Sequence, residues 1–178
     1  MADMPNPPTN GPGSGDGSGL GPPQQQQPAL AVKAQYVKDL SFENPRAPQS
    51  LAQQISPEIR IAINVGLQPL SGNDYEVTLT INAEAKMAAE ALFTVELVYA
   101  GVFAVGPIPT EHVRPVLLIE GPRLLFPFAR NIIADSVRDG GFPPLFLQPV
   151  DFYELYRREV ASQQARANPP PPSSPLPQ

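Results

Sequence analysis

The sequence predicts an α+β fold in which a four-stranded antiparallel sheet is followed by two helices. Three stretches between residues 59 and 99 alternate apolar and polar side chains with a period of two, as in strands that bury one face. After Gly106 the apolar residues recur every three or four positions, which is typical of a helix. Strands that all precede the helices favour an α+β layout.

The three alternating stretches form most of the predicted sheet. Apolar residues occupy every odd position from Ile59 to Leu67, from Tyr75 to Ile81 and from Ala91 to Tyr99, and mostly polar residues stand between them. The sequence Ser71-Gly72-Asn73-Asp74 between the first two stretches has the composition of a tight turn. Short connections of this kind indicate antiparallel neighbours.

An earlier strand is predicted from Ala34 to Glu43. Its alternation places Tyr36, Leu40 and Phe42 toward the core, and Asp39, Ser41 and Glu43 toward the opposite face. The prolines at positions 45 and 48 cannot donate the hydrogen bonds of a central strand. The chain must therefore leave the sheet through a longer loop, which predicts a Greek-key-like crossover.

Two helices are predicted after the sheet. The first covers residues 122–138 and ends at Gly140, whereas Pro115 and Pro122 are expected to interrupt the segment before it. The second starts at Asp151, which can cap it together with Glu154. Its apolar face consists of Phe152, Leu155, Tyr156 and Val160.

The composition changes at both ends of the chain. Residues 1–30 contain seven prolines and six glycines, and residues 166–178 contain six prolines. Such segments bury too little apolar surface to offset the entropy of the chain. We therefore expect two disordered tails, 1–30 and 166–178, around a folded domain at 31–165.

Composition argues against an enzyme and against several classes of partner. The chain has no cysteine and a single histidine, His112, so thiolate and histidine-based metal sites are excluded, and no nucleophile, base or phosphate-binding loop accompanies that histidine. The net charge of −5 argues against nucleic acid. No apolar stretch reaches the roughly 18 residues that span a bilayer. Residues 1–30 lack the features of a signal peptide. We expect a cytoplasmic protein without catalytic residues or cofactors.

The remaining candidate function is binding through apolar surface. A domain of this size with one sheet and two helices buries its apolar area incompletely, and self-association is the usual remedy. The stretch from Phe142 to Leu147 is apolar and rich in proline. It packs on its own domain, lies at a subunit boundary or borders a binding groove, and the sequence leaves these readings open.

Several short motifs occur in order across residues 33–156. They are Tyr36-Val37-Lys38-Asp39-Leu40-Ser41-Phe42-Glu43-Asn44-Pro45, Asp74-Tyr75-Glu76-Val77, Gly101-Val102-Phe103, Leu125-Phe126-Pro127-Phe128-Ala129-Arg130 and Leu147-Gln148-Pro149-Val150-Asp151-Phe152. This ordered set resembles the SecB family of export chaperones. The resemblance implies a homotetramer built as a dimer of dimers. It also implies that unfolded secretory preproteins are bound without ATP and delivered to the motor SecA, with no direct membrane insertion.

The resemblance also implies two binding sites. The SecA-binding residues would be Asp39, Glu43, Thr94 and Glu96 on the outer face of the sheet. The client groove would be lined by Ile55, Ile59, Ile61, Ile63, Phe152, Leu155 and Tyr156. The family often has leucine at the position of Thr94, and many members have tryptophan at that of Ile55.

Two alternatives remain at this point. One is a SecB-like chaperone dedicated to a single partner such as an antitoxin, and the other is a small-ligand-binding α+β domain. A ligand-binding domain would need polar groups that converge in one pocket. Proteins captured from cells would separate the three: many precursors, one dedicated partner or none.

Overall fold

The computed structural model describes residues 29–52, 56–88 and 90–167. In chain order the elements are β1 (Leu30–Glu43), a short 3-10 helix (Gln49–Leu51), β2 (Glu58–Pro69), β3 (Asp74–Met87), β4 (Glu90–Val105), α1 (Thr110–Asp139) and α2 (Phe152–Ala167). The two predicted tails lie almost entirely outside the described residues, as does Ile55.

The four strands form one antiparallel sheet with the spatial order β1-β4-β3-β2. Strands β2, β3 and β4 are consecutive neighbours, and β1 lies beside β4 at the far edge. The segment after β1 therefore carries the chain from one edge of the sheet to the other. The predicted antiparallel sheet, its Greek-key-like crossover and the two following helices are confirmed.

The core lies between α1 and the inner faces of β3 and β4. Most odd-numbered side chains in the middle of these strands are completely buried, as the predicted alternation requires; they include Val77, Leu79, Ile81, Val95 and Leu97. Gly121 of α1 lies directly over Val77, and a Cβ atom at position 121 would be 3.0 Å from a Val77 methyl group. A glycine here lets the helix approach the sheet closely.

The first strand differs from its predicted alternation. Its pairing with β4 shifts between Val32 and Ala34 and again between Val37 and Asp39, so Lys33 and Lys38 are extra residues. We refer to the β-bulge at Lys38 as the bulge. Downstream of the bulge, Asp39 faces outward as predicted. Upstream of the bulge, the inward and outward positions of the strand are exchanged. The prediction that Tyr36 faces the core is therefore wrong, and Tyr36 bonds to Glu76 on the outer face. Phe42 does face inward and stacks on Phe93, with ring centroids 5.8 Å apart.

Helix α1 is longer than predicted. It runs unbroken for 30 residues from Thr110 to Asp139 and contains Pro115, Pro122 and Pro127. Each proline removes one backbone donor, but Leu117, Leu125 and Ile133 are fully buried, and their packing holds the helix together. Although α1 is long, no helix in the described residues is apolar enough to cross a membrane.

Helix α2 begins where the sequence predicts. One carboxylate oxygen of Asp151 accepts hydrogen bonds from the backbone N–H groups of Tyr153 and Glu154, both at 3.0 Å. This satisfies two of the free donors at the helix start. The helix ends at Ala167, two residues past the predicted end of the folded domain.

Candidate functional site

An open apolar groove follows the inner side of edge strand β2. Helix α1 lies over β3 and β4, and α2 covers only one end of β2. As a result Ile59 and Ile61, which point toward the core side, remain 41% and 46% exposed. Large apolar side chains left this open indicate a binding surface.

The groove widens into a cavity at each end. Between β2 and the two helices lies a cavity of about 440 Å³, lined by Ile63, Val65, Leu67, Leu118, Leu155 and Tyr156 with several polar side chains. Between β2, the crossover and the α1–α2 loop lies a second cavity of about 690 Å³, lined by Leu51, Ile59, Phe93, Phe142, Pro143 and Leu145, among others. The exposed Ile61 lies along β2 between the two.

Most of the predicted client-binding residues lie along this groove. Ile59 lines the larger cavity, and Ile63, Leu155 and Tyr156 line the smaller one. Phe152 does not, since it is only 2% exposed and packs against Phe126 with ring centroids 5.7 Å apart. Its side chain belongs to the core because the first turn of α2 sits directly on α1.

The apolar stretch after α1 borders the groove. Phe142 packs against Phe93 with ring centroids 4.9 Å apart and lines the larger cavity together with Leu145. Leu147 is buried, whereas Phe146 is 62% exposed. Of the readings that the sequence left open, the structure favours a segment that both packs on its own domain and forms one wall of the groove.

The predicted SecA-binding residues lie together on the opposite face of the sheet. Glu43 pairs with Thr94, and Glu96 pairs with Ser41, two positions further along β4. Cross-strand partners share a face, so Asp39, Glu43 and Glu96 point to the same side. All three are exposed and Thr94 is half-buried. We call these four residues the acidic patch.

The cations on this outer face are paired with carboxylates outside the acidic patch. Lys33 bonds to Asp74 at 2.6 Å, Lys38 to Glu76 at 2.7 Å, Lys86 to Glu84 at 2.8 Å and Arg60 to Glu58 at 3.0 Å. Within the described residues, the carboxylates of Asp39, Glu43 and Glu96 form no salt bridge. The acidic patch therefore keeps its negative charge available to a partner.

Glu76 is the least exposed charged residue in the described chain, at 7%. Its carboxylate accepts hydrogen bonds from the ammonium group of Lys38 and from the phenol of Tyr36. The Lys38 bond, followed by the Tyr36 bond, holds the pKa of Glu76 below its ordinary value, although burial acts in the opposite direction. The same carboxylate raises the pKa of Tyr36. The alternation along β3 predicts that Glu76 faces outward, but its partners Tyr36 and Lys38 lie on another strand, so no local pattern predicts this cluster.

A second apolar surface lies at the β1 edge, away from the groove. The inner-face residues Val32, Val37 and Leu40 of β1 are 40–45% exposed, because α1 packs mainly on β3 and β4. On α1, Leu124 and Phe128 are 42% and 52% exposed. Phe128 stacks on Tyr99, which pairs with Val37, so the strand and helix residues form one continuous surface. We call it the β1–α1 surface.

The sheet and the two helices form a fold that is also known from a solved structure. The SecB-like chaperone of Mycobacterium tuberculosis, in complex with a ChAD peptide from the HigA1 antitoxin, superposes with a TM-score of 0.54 and 17% identity, covering 68% of this chain and 91% of that chain. At this level of identity the likeness shows the fold alone.

Sequence comparison then gives the family. The SecB family, described as preprotein translocase subunit SecB, matches residues 23–163. The protein-export protein SecB of Bradyrhizobium sp. is 56% identical over 159 residues, covering 86% of this chain and 98% of that protein. That of Agrobacterium fabrum is 56% identical over 141 residues, covering 79% and 88%. The chain belongs to the SecB family of protein-export chaperones, which is a family of chaperones rather than of enzymes.

Proposed function

We propose that this protein is an ATP-independent chaperone that binds unfolded secretory preproteins and delivers them to SecA in the cytoplasm. The observation that carries the proposal is the apolar groove along β2, with exposed Ile59 and Ile61 and a cavity at each end. The 56% identity to export proteins favours this function over a chaperone dedicated to one partner.

The groove suits an extended apolar client segment. Strand β2 has 12 residues and therefore spans about 40 Å. Burial of apolar side chains contributes about 25 cal/mol per Å² removed from water, which is enough to hold a client without nucleotide. Since only an unfolded chain presents such segments, binding stabilises the unfolded state and slows folding by mass action.

The acidic patch is the surface that we assign to SecA. Its carboxylates are free of cations within the described residues and lie on the face opposite the groove. Unpaired carboxylates steer a basic partner and form charge-assisted hydrogen bonds with it. Thr94 offers a hydroxyl group rather than an apolar side chain, so the contact at this position would be polar.

We further propose that the β1–α1 surface mediates assembly into a dimer of dimers. Its exposed residues, among them Val37 on β1 and Phe128 on α1, would be covered by other copies of the chain. The surface lies at the edge of the sheet opposite to β2, so assembly would leave the groove open. Obligate homo-oligomer interfaces are apolar in this way.

A refolding experiment tests client holding. A secretory precursor is diluted from denaturant into buffer with and without this protein, and no nucleotide is added. We expect the precursor to refold more slowly as the protein concentration rises. Unchanged refolding kinetics at saturating protein would refute the chaperone proposal.

Charge reversal tests the SecA site. Replacing Asp39, Glu43 and Glu96 by Lys should strongly weaken SecA binding but leave client holding intact, because exposed charges contribute only about 0–1 kcal/mol to folding. Binding of wild-type protein should also weaken as salt rises. A triple variant that binds SecA with wild-type affinity would show that the patch is not the site.

A further inference from the structure

Lys38 is a cation placed directly beside the acidic patch. Because Lys38 is the extra residue of the bulge, both Lys38 and Asp39 point to the outer face of the sheet. An ammonium group at this position could pair with the neighbouring carboxylate and cancel its charge. In the structure it does not, since the ammonium group lies 2.7 Å from a carboxylate oxygen of Glu76.

Glu76 draws this ammonium group away from the patch. The β4 partner of Asp39 is Val98 and that of Glu76 is Val102, so the two carboxylates are separated by four positions, or about 13 Å, along the strand direction. Tyr36 also donates to Glu76 and fixes the carboxylate in place. Glu76 is only 7% exposed, whereas the Lys38 side chain is 46% exposed, so the carboxylate half of this ion pair is the half that is shielded from solvent.

We propose that Glu76 is a specificity-determining residue of the SecA-binding face, because it neutralises Lys38 and so keeps Asp39 free for basic groups of the partner. This inference rests on the SecA site proposed above. It extends that site to a residue that need not touch the partner. Glu76 thus acts on binding through the charge of Lys38.

Glu76→Gln is the variant that tests the proposal. Glutamine keeps the shape of the side chain and can still accept the hydrogen bond from Tyr36, but it no longer neutralises Lys38. We expect affinity for purified SecA, at about 0.1 M ionic strength, to fall roughly threefold to tenfold as Lys38 turns to Asp39. Adding Lys38→Gln to this variant should restore the affinity to within about twofold of wild type.

Recovery of SecA affinity in the double variant would show that Glu76 acts through the charge of Lys38 and not through the stability of the fold. If Glu76 mattered only for folding, removing Lys38 as well would not restore binding. Asp74→Asn is a matched control, since it frees Lys33 on the same face. The neighbours of Lys33 pair with β4 four and five positions from the Asp39 partner, so Lys33 lies about 15 Å from Asp39 along the strand. This distance exceeds the Debye length, so SecA binding should stay at the wild-type level.

The outcomes distinguish this inference from the proposed function. If Glu76→Gln binds SecA like wild type, or if Lys38→Gln fails to rescue it, the role of Glu76 is refuted. The SecA site still stands in that case, provided that the charge-reversed patch variant loses binding. If the wild-type protein does not bind SecA, both proposals fall.

Discussion

The exposed isoleucines of β2 allow a quantitative test of the groove. We consider replacing Ile59 and Ile61 together by asparagine, which keeps side chains of moderate size in the strand but removes their apolar surface. Both side chains point to the groove and are 41% and 46% exposed in the free protein. This exposed fraction is what a client can still bury.

The expected loss follows from that fraction. Complete burial of an isoleucine side chain contributes about 1.5–3 kcal/mol. Since somewhat less than half of each side chain is available, the pair should contribute about 1–2.5 kcal/mol to client binding. This corresponds to an affinity that is roughly fivefold to seventyfold weaker.

The assay is the protein concentration that halves the refolding rate of a precursor, measured for wild type and variant. Leu70→Asn is the matched control, because Leu70 is 44% exposed but lies one residue past the end of β2 and lines neither cavity. Melting temperatures would show that both variants remain folded. If the double variant holds clients within twofold of wild type, the groove is not the client site.

The β1–α1 surface, the Glu76 cluster and the contact between Gly121 and Val77 can each be tested by substitution. Val37→Asp with Phe128→Asp puts charge on the β1–α1 surface and should lower the native mass measured by light scattering; an unchanged tetramer mass would contradict the assembly proposal. Because the pKa of Glu76 is lowered in the folded protein, its ionised carboxylate stabilises the fold fully at pH values above the unfolded pKa of about 4.3. This stabilisation is lost as the pH falls through the pKa of Glu76 in the folded protein. The melting temperature of wild type should therefore drop more steeply than that of Glu76→Gln between about pH 5 and 3, and parallel curves would count against this assignment. Gly121→Leu should destabilise the fold by about 1–3 kcal/mol in urea titrations, since a Cβ atom there already lies 3.0 Å from Val77; an unchanged midpoint would show that α1 can shift.

The central strands were predictable because one of their faces is buried. When a strand packs on a core, a slip of one residue would move every apolar side chain to solvent, so the sequence must keep a strict alternation. Strands β3 and β4 obey this rule, and their inward residues Leu79 and Leu97 are fully buried. The same alternation located the outward carboxylate of Glu96.

The edge strand β1 was less predictable because its alternation contains a bulge. Phe42 is anchored in the core, and Tyr36 is anchored to Glu76 on the outer face. Under strict alternation Tyr36 and Phe42 would point to the same face of the sheet. The extra residue Lys38 between them places them on opposite faces. The partner that reveals this lies 40 positions away in the sequence, so no local pattern could show it.

In the helices and the groove, tertiary packing determines features that local sequence patterns do not predict. The prolines of α1 predicted breaks, but packing of side chains such as Leu125 outweighs the lost hydrogen bonds. In α2, Phe152, Leu155 and Tyr156 share one apolar face, yet the first residue packs on α1 and the other two line the groove. The groove residue Leu51 comes from the crossover, whose path depends on tertiary contacts.

Delivery of a client requires that the chaperone hold its client and its motor at the same time. The groove opens on the inner side of the sheet at β2, whereas the acidic patch lies on the outer side at β1 and β4. The proposed assembly surface lies at a third place, on the inner side of β1 and on α1. Because the three surfaces use different residues, occupation of one would leave the residues of the other two uncovered. A tetramer would then present several grooves and several acidic patches at once, and the resulting multivalency would strengthen each interaction without any further contact within one protomer.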